Sequence, residues 1–398
     1  MNSDAEKNIV NVAMEFLPFY TGHGIYLLKL HRYLERLGFH FTVITPRQLT
    51  SIPSAEVMEG IQVHRLEAYE KARFLRFYLA AVVYLIKHRK SYQIVHAHSF
   101  HDRFFLMLIV LKLLRKKFIS QMALLGTDDP ETFLKVYSFS RFRFYFIKRW
   151  TDAFIPISTP IEQTCIDAGI DARKIKKIYQ GVDIQKFIPV ASTEEKRAAR
   201  AALGLPQQRL AIFVGGIIDR KGVKELLTAW IDVQAQVKDA TLVLVGPYDF
   251  GAENENMTSL NQYVDELRKL VELNHLQVVW TGKTDKVEDY MRVADVFVFP
   301  SKKEGFGNVI IEAMACELPC IVTPMDGVAN DTVIDAETGF IVEGHQALVD
   351  KTVQLLTDTE LSHRMGVKGR EVALQKFAFE KIAPQYTALY RELIHHKG

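Results

Sequence analysis

Glu304 and Glu312 stand eight positions apart in FPSKKEGFGNVIIEAMACELPCIVT, residues 299–323. Gly305, Phe306, Gly307, Asn308 and Val309 lie between them, and apolar runs flank the segment. Such an order reads as strand, loop and helix, and ligands of a doubly wound sheet bind beyond the carboxyl ends of its strands. Gly305 and Gly307 let a ligand approach the backbone. Asn308 is placed to cap the helix, whose first N–H groups then face the loop and attract phosphate. Glu312, about one turn into the helix, can accept bonds from neighbouring hydroxyls such as a ribose diol. Glu304, at the start of the loop, lies further out, where a sugar attached to that phosphate would sit. Taken alone, the pair also fits two solvated acids beside a structural turn, so the surrounding elements must decide.

Those elements are short apolar runs alternating with helical patterns. In the first half the strand candidates are NIVNVAM (8–14), FHFTVIT (39–45), QIVHAH (93–98), FISQMALL (118–125) and AFIPIS (153–158). In the second half they are LAIFVG (210–215), TLVLVG (241–246), QVVWTG (277–282), DVFVFP (295–300) and CIVT (320–323). Runs apolar on both faces indicate parallel strands covered by helices. Two such blocks predict two doubly wound α/β domains, 1–182 and 183–378, joined near Gly181. A last helix from about residue 379 could pack back on the first domain.

The 398 residues carry a net charge of +3, which argues against binding nucleic acid through bulk charge. Three cysteines without a framework suggest a reducing, cytoplasmic setting; Cys316 and Cys320 read as packing residues. The first residues lack a secretory pattern, and the longest apolar runs fall short of the roughly 20 residues that span a bilayer. The chain is therefore expected to be soluble or to lie on a membrane surface. No Asp-x-Asp closes a strand, so no metal is implied. The acids of GTDDP (126–130) could bind a ligand hydroxyl or cap the next helix, and a ligand-side loop is favoured.

The 299–323 stretch resembles the glutamate–seven residues–glutamate motif of the retaining family 4 glycosyltransferases, which have the GT-B fold. FLPFYTGHG (16–24), IVHAH (94–98), YQGVDIQKF (179–187), FVGGIIDRKGVKELLTAW (213–230) and ETGFIV (337–342) resemble further family segments in the right order. The resemblance implies a nucleoside-diphosphate sugar donor held by the second domain and an acceptor held by the first, across an interdomain cleft. It implies that Glu312 binds the ribose, Glu304 the donor sugar, and Arg220 and Lys221 the diphosphate. It also implies that Gly22, His23 and Gly24 form a loop near the donor phosphate, with His98 near the reacting centre. Three places depart from the family. Gly216 replaces an arginine, Glu317 a glycine, and MDGVAND (325–331) a glycine-rich loop.

UDP is the expected leaving nucleotide, with GDP second, and the chemistry is expected to retain configuration without a metal. The acceptor is expected to be a saccharide or lipid-linked saccharide of polysaccharide, lipopolysaccharide or glycolipid biosynthesis. Basic and aromatic residues cluster in KARFLRFYLAAVVYLIKHRKSY (71–92), LKLLRKKF (111–118) and SRFRFYFIKRW (140–150). They suit an anionic membrane surface at the inner face of the membrane, although core helices with solvated faces would read alike. Two rivals are a catalytically inactive nucleotide-binding module on the same fold and a dinucleotide oxidoreductase. GHGIYL lacks the third glycine that the oxidoreductase needs.

Overall fold

All the apolar runs picked out above are strands. The computed structural model describes residues 7–18, 22–67, 73–101, 103–136, 139–249 and 255–395, with backbone only at 22, 23, 73, 74 and 255–258. The chain forms two units, Met1–Gly181 with Phe379–Gly398, and Val182–Ala378. Val182 falls in the second unit because its N–H donates to the Phe377 carbonyl (2.8 Å), bridging the chain's outward and return crossings.

The first unit holds β1 (Asn8–Val12), β2 (His40–Arg47), β3 (Ala55–Met58), β4 (Ile61–Glu67), β5 (Ile94–Ala97), β6 (Lys117–Met122) and β7 (Ala153–Pro156). Their order is β3-β4-β2-β1-β5-β6-β7. The sheet is parallel except for β3, which pairs antiparallel with β4. This hairpin adds an antiparallel edge to the expected parallel sheet. Its turn is Glu59–Gly60, both with positive φ, as a tight two-residue hairpin turn requires. Its strands are part-exposed and alternate in burial, so they gave no continuous apolar run.

Strand alternation divides the core into two layers. Ile94, Ile119 and Ile155 face the helices Gly22–Arg36 and Phe379–His395. The neighbouring Phe118 and Phe154 lie outside that cluster and meet Phe104 (5.7 Å) and Phe100 (6.3 Å). The terminal helix is thus built into the first unit's core. Tyr390 pairs with His96 Nδ1 at 3.0 Å, and the Tyr386 hydroxyl donates to Gln121 at 3.3 Å. Gly181 begins the crossing beside Phe379, whose ring would lie 2.5 Å from any added Cβ.

The second unit holds β8 (Leu210–Val214), β9 (Thr241–Val245), β10 (Val278–Gly282), β11 (Val296–Phe299), β12 (Cys320–Val322) and β13 (Gly339–Ile341). The sheet is parallel throughout, in the order β10-β9-β8-β11-β12-β13. Strand order reverses between β8 and β11, which opens a crevice at their carboxyl ends. Residues 215–222 and 300–307 leave the sheet there.

Candidate active site

The loops after β8 and β11 are clamped together. The Lys302 N–H donates to the Arg220 carbonyl at 2.9 Å, and the Arg220 guanidinium donates to the Lys303 carbonyl. Between them stands Gly222, with φ 71° and a position where a Cβ would lie 1.9 Å from the Pro300 carbonyl oxygen. No other residue fits that crossing. Gly222 also starts the helix Val223–Gln236, so the short turn Asp219–Lys221 is held against the Glu304 loop.

Three donors converge on one oxygen there. Glu304 Oε1 accepts from Lys221 Nζ at 2.5 Å, from the Ser301 hydroxyl at 2.6 Å and from Arg220 at 3.3 Å. Glu304 is 9% exposed and Lys221 nearly as enclosed. Burial pulls the Lys221 ammonium below the ordinary lysine pKa, and the Glu304 carboxylate pulls it back up. The Lys221 ammonium also lies 5.0 Å from the centre of the Phe299 ring. Ser301 was given no role by sequence reasoning, although it stands in the quoted stretch. Its carbonyl in turn accepts from Thr323 Oγ1 at 2.5 Å.

The helix Asn308–Ala315 carries Glu312, half-buried. Its cap is Gly307, at φ 83°, and not Asn308, which is the first helical residue and makes no side-chain cap bond. The cap expectation for Asn308 is thereby corrected: only a residue at ease with positive φ fits at the cap position. Gly305 is buried and Val309 half-buried. Phe306 is not a side-chain ligand. It is 2% exposed and packs edge-on against Phe377 at 5.7 Å, which leaves its backbone for a ligand. A Cβ added at Gly216 would meet nothing within 4 Å, so the space beside β8 is open where an arginine was expected. Met325, Asp326 and Gly327 all take positive φ beyond β12, two of them with side chains, a strained arrangement common at functional sites.

The first unit holds the remaining candidates. His98 follows β5, is 6% exposed, and sets Nε2 2.7 Å from Asn11 Oδ1, with its ring stacked on His96 at 4.1 Å. Asn11 was overlooked; a polar residue inside the buried run NIVNVAM was the available signal. Gly22 and Gly24 lie in the first turn of the helix Gly22–Arg36, not in a loop, because the helix begins earlier than the glycines suggested. The His23 side chain and residues 19–21 lie outside the described residues. The GTDDP acids bond their own backbone, as the capping alternative expects. Asp129 accepts from Thr132 N–H (2.9 Å) and Gly126 N–H (2.5 Å), capping the helix Pro130–Val136. Asp128 accepts from the N–H groups of Ala123 and Leu124, while burial pushes its carboxyl up to about 7. No three His, Cys, Asp or Glu are grouped to hold a metal among the described residues.

This arrangement can hold an anion between a lysine, an arginine and a helix start, with a carboxylate at its edge. The Glycosyl transferases group 1 family matches residues 195–372, and Glycosyltransferase Family 4 matches residues 20–186. N-acetyl-alpha-D-glucosaminyl L-malate synthase of Bacillus anthracis is 23% identical over 97% of each chain. The capsular polysaccharide biosynthesis glycosyltransferase CapM of Staphylococcus aureus is 33% identical over 46% of each. Sucrose-phosphate synthase from Thermosynechococcus elongatus superimposes with a TM-score of 0.77 at 26% identity, over 97% of this chain and 99% of that one. Anabaena HepE in complex with UDP and glucose gives 0.75 at 20% identity over 97% and 100%, a likeness of fold. The chain belongs to glycosyltransferase family 4 and is a glycosyltransferase with the GT-B fold.

Proposed function

We propose that the protein transfers a sugar, with retention of configuration, from a nucleoside-diphosphate sugar to a saccharide or lipid-linked saccharide. The observation that carries the reading is the convergence of Lys221, Arg220 and Ser301 on Glu304 at the β8–β11 crevice. The diphosphate takes Lys221 and Arg220 as counter-charges, so transition-state charge on the leaving group meets preorganised cations and needs no metal ion. Glu304, displaced from Lys221 by the phosphate, accepts from donor-sugar hydroxyls. Glu312 accepts from the ribose diol. Backbone groups of Gly305, Phe306, Gly307, Asn308 and Val309 line the phosphate. His98, oriented by Asn11, serves the reacting end. A front-face displacement fits this set, in which the leaving phosphate helps deprotonate the acceptor.

UDP is the proposed nucleotide, supported by the neighbour solved with UDP and glucose. GDP is the alternative, since relatives 26% identical over 61% of this chain are named GDP-mannose-dependent mannosyltransferases of phosphatidylinositol monomannoside. Those names also favour a lipid-linked acceptor, and the reading includes a peripheral position on the inner membrane face; no described helix is long and apolar enough to cross a membrane. The reading is tested by thermal shift with UDP, GDP and their sugars, since a ligand that binds only the folded state raises its melting point. A shift with a uridine or guanosine ligand supports it. The absence of any shift overturns it.

A further inference from the structure

The helices Arg73–Lys87, Phe104–Leu113 and Ser140–Trp150 pack in succession on the first unit's sheet, on the face opposite the terminal helix. A surface helix usually buries one apolar stripe and turns polar residues to water. The first of these helices is apolar on both sides. Phe77, Tyr78, Ala81 and Leu85 are buried, while Leu75, Leu79, Val83 and Ile86 are exposed, Val83 to 64%. Spacings of three and four residues keep the exposed four on one face. In the second helix Leu106 and Leu113 are exposed two turns apart, Leu113 to 79%. The third exposes Phe142, to 62%, and Tyr145, with Phe139 just before it.

Aromatic side chains join the second and third helices. Phe105 meets Phe146 at 6.0 Å and stacks on Trp150 at 6.2 Å, and Phe146 meets Phe142 at 5.1 Å and Trp150 at 4.8 Å. Trp and Tyr concentrate where apolar and aqueous phases meet. The charged residues of the three helices are all basic, and Lys112 also meets Asp152 at 3.4 Å. Arg76, Lys87, Lys112, Arg141, Lys148 and Arg149 lie along the helices, which contain no Asp or Glu. A second copy docked symmetrically here would set cation against cation. Apolar stripes between cations match a partner that offers hydrocarbon and anions together.

We propose that this three-helix surface docks on an anionic phospholipid bilayer, with Leu79, Val83, Leu113 and Phe142 entering the headgroup boundary and the flanking Arg and Lys pairing with phosphates. The proposal deepens the lipid-linked acceptor reading and rests on it for its purpose, since a docked enzyme meets such an acceptor in two dimensions.

The test is sedimentation of the full chain with phosphatidylglycerol–phosphatidylcholine vesicles and with pure phosphatidylcholine vesicles, at low and high salt. Binding is expected to the first kind alone, and to be released by salt. Leu79→Ser with Val83→Ser removes two exposed apolar groups without touching the core, and should cut partitioning on the order of tenfold or more. Charge removal at Arg141 should cut it about fivefold, the equivalent of about 1 kcal/mol. Lipids brominated in the acyl chain should quench parent fluorescence, and Trp150→Phe should abolish that quenching. Equal recovery in the supernatant with both vesicle types at low salt overturns the proposal. So does unchanged vesicle binding by the Leu79/Val83 variant, or a dimer that this variant dissociates while the parent ignores vesicles. Thermal shift with UDP and GDP on the same preparations separates the two readings. A nucleotide shift without vesicle binding defeats only the docking face; vesicle binding without a shift defeats only the donor reading.

Discussion

Lys221 Nζ stands 2.5 Å from Glu304 Oε1, across 83 positions of chain. The two loops that bring them together are locked by Gly222 under Pro300 and by the Lys302-to-Arg220 backbone bond. An enclosed lysine without a partner is costly, and removing one member of such a pair leaves a bare charge. In the free enzyme Glu304 meets that need. On the proposed function, a diphosphate would supply a second anion, with phosphate taking the ammonium and the carboxylate turning to the sugar.

Glu304→Gln is expected to lower turnover by roughly a hundredfold or more, as for other groups that act on the transition state. Free UDP should bind as tightly as to the parent or more so, because Lys221 no longer has an internal anion to leave. Turnover assays beside calorimetric titration check both. UDP affinity falling as far as turnover would exchange the roles of Glu304 and Glu312.

Glu312→Ala is expected to weaken free nucleotide binding, since charge-assisted bonds to two hydroxyls are each worth about 1.5–3 kcal/mol. Titration with UDP and GDP reads this. Parent-like affinity would remove Glu312 from the site.

Burial holds the Lys221 pKa below the ordinary lysine value of 10.5. On the proposed function the ammonium holds the diphosphate, so kcat/KM should decline with rising pH earlier than an exposed lysine would allow. Lys221→Arg keeps its charge to higher pH and should move that alkaline limb upward, whatever its absolute rate. A pH–rate profile in which the limb stays put would assign it to another group.

Activity is expected to survive EDTA, with Lys221, Arg220 and the helix start at Asn308 meeting the phosphate charge. Complete loss in chelator and recovery with manganese would overturn this metal-independent mechanism.

His31 is fully buried in the helix Gly22–Arg36, and neither ring nitrogen meets a partner among the described residues. Burial lowers its pKa from 6.5, against the pull of Glu35. The depressed value means that the unfolded chain takes up the proton first. The associated stability is complete above the unfolded pKa and is lost as pH falls through the folded one. His31→Leu should therefore flatten the acid side of the melting-temperature profile while leaving some slope from His64, which burial also lowers. An unchanged acid slope would place the proton uptake elsewhere.

Local patterning was enough to place the apolar strands, the carboxyl-end loops and the two-block organisation, because burial between helix layers leaves its mark in each short run. The positions of Glu304, Glu312 and Lys221 beyond the strand ends were legible for the same reason: strand, glycine loop and helix fix where their backbone sits. Contacts between distant segments leave no such mark. The pairing of Lys221 with Glu304, the orientation of His98 by Asn11, and the entry of the terminal helix into the first unit's core all join segments far apart in the chain. Phe306 and Asp129 show the same limit, since a side chain beside a ligand loop looks alike in sequence whether it packs inward on Phe377 or caps its own helix. The sequence determined which residue types stand at the ends of the strands. Tertiary packing decided which of them are enclosed and which oxygen meets which ammonium, because desolvation and distance are properties of the assembled neighbours and not of any one segment.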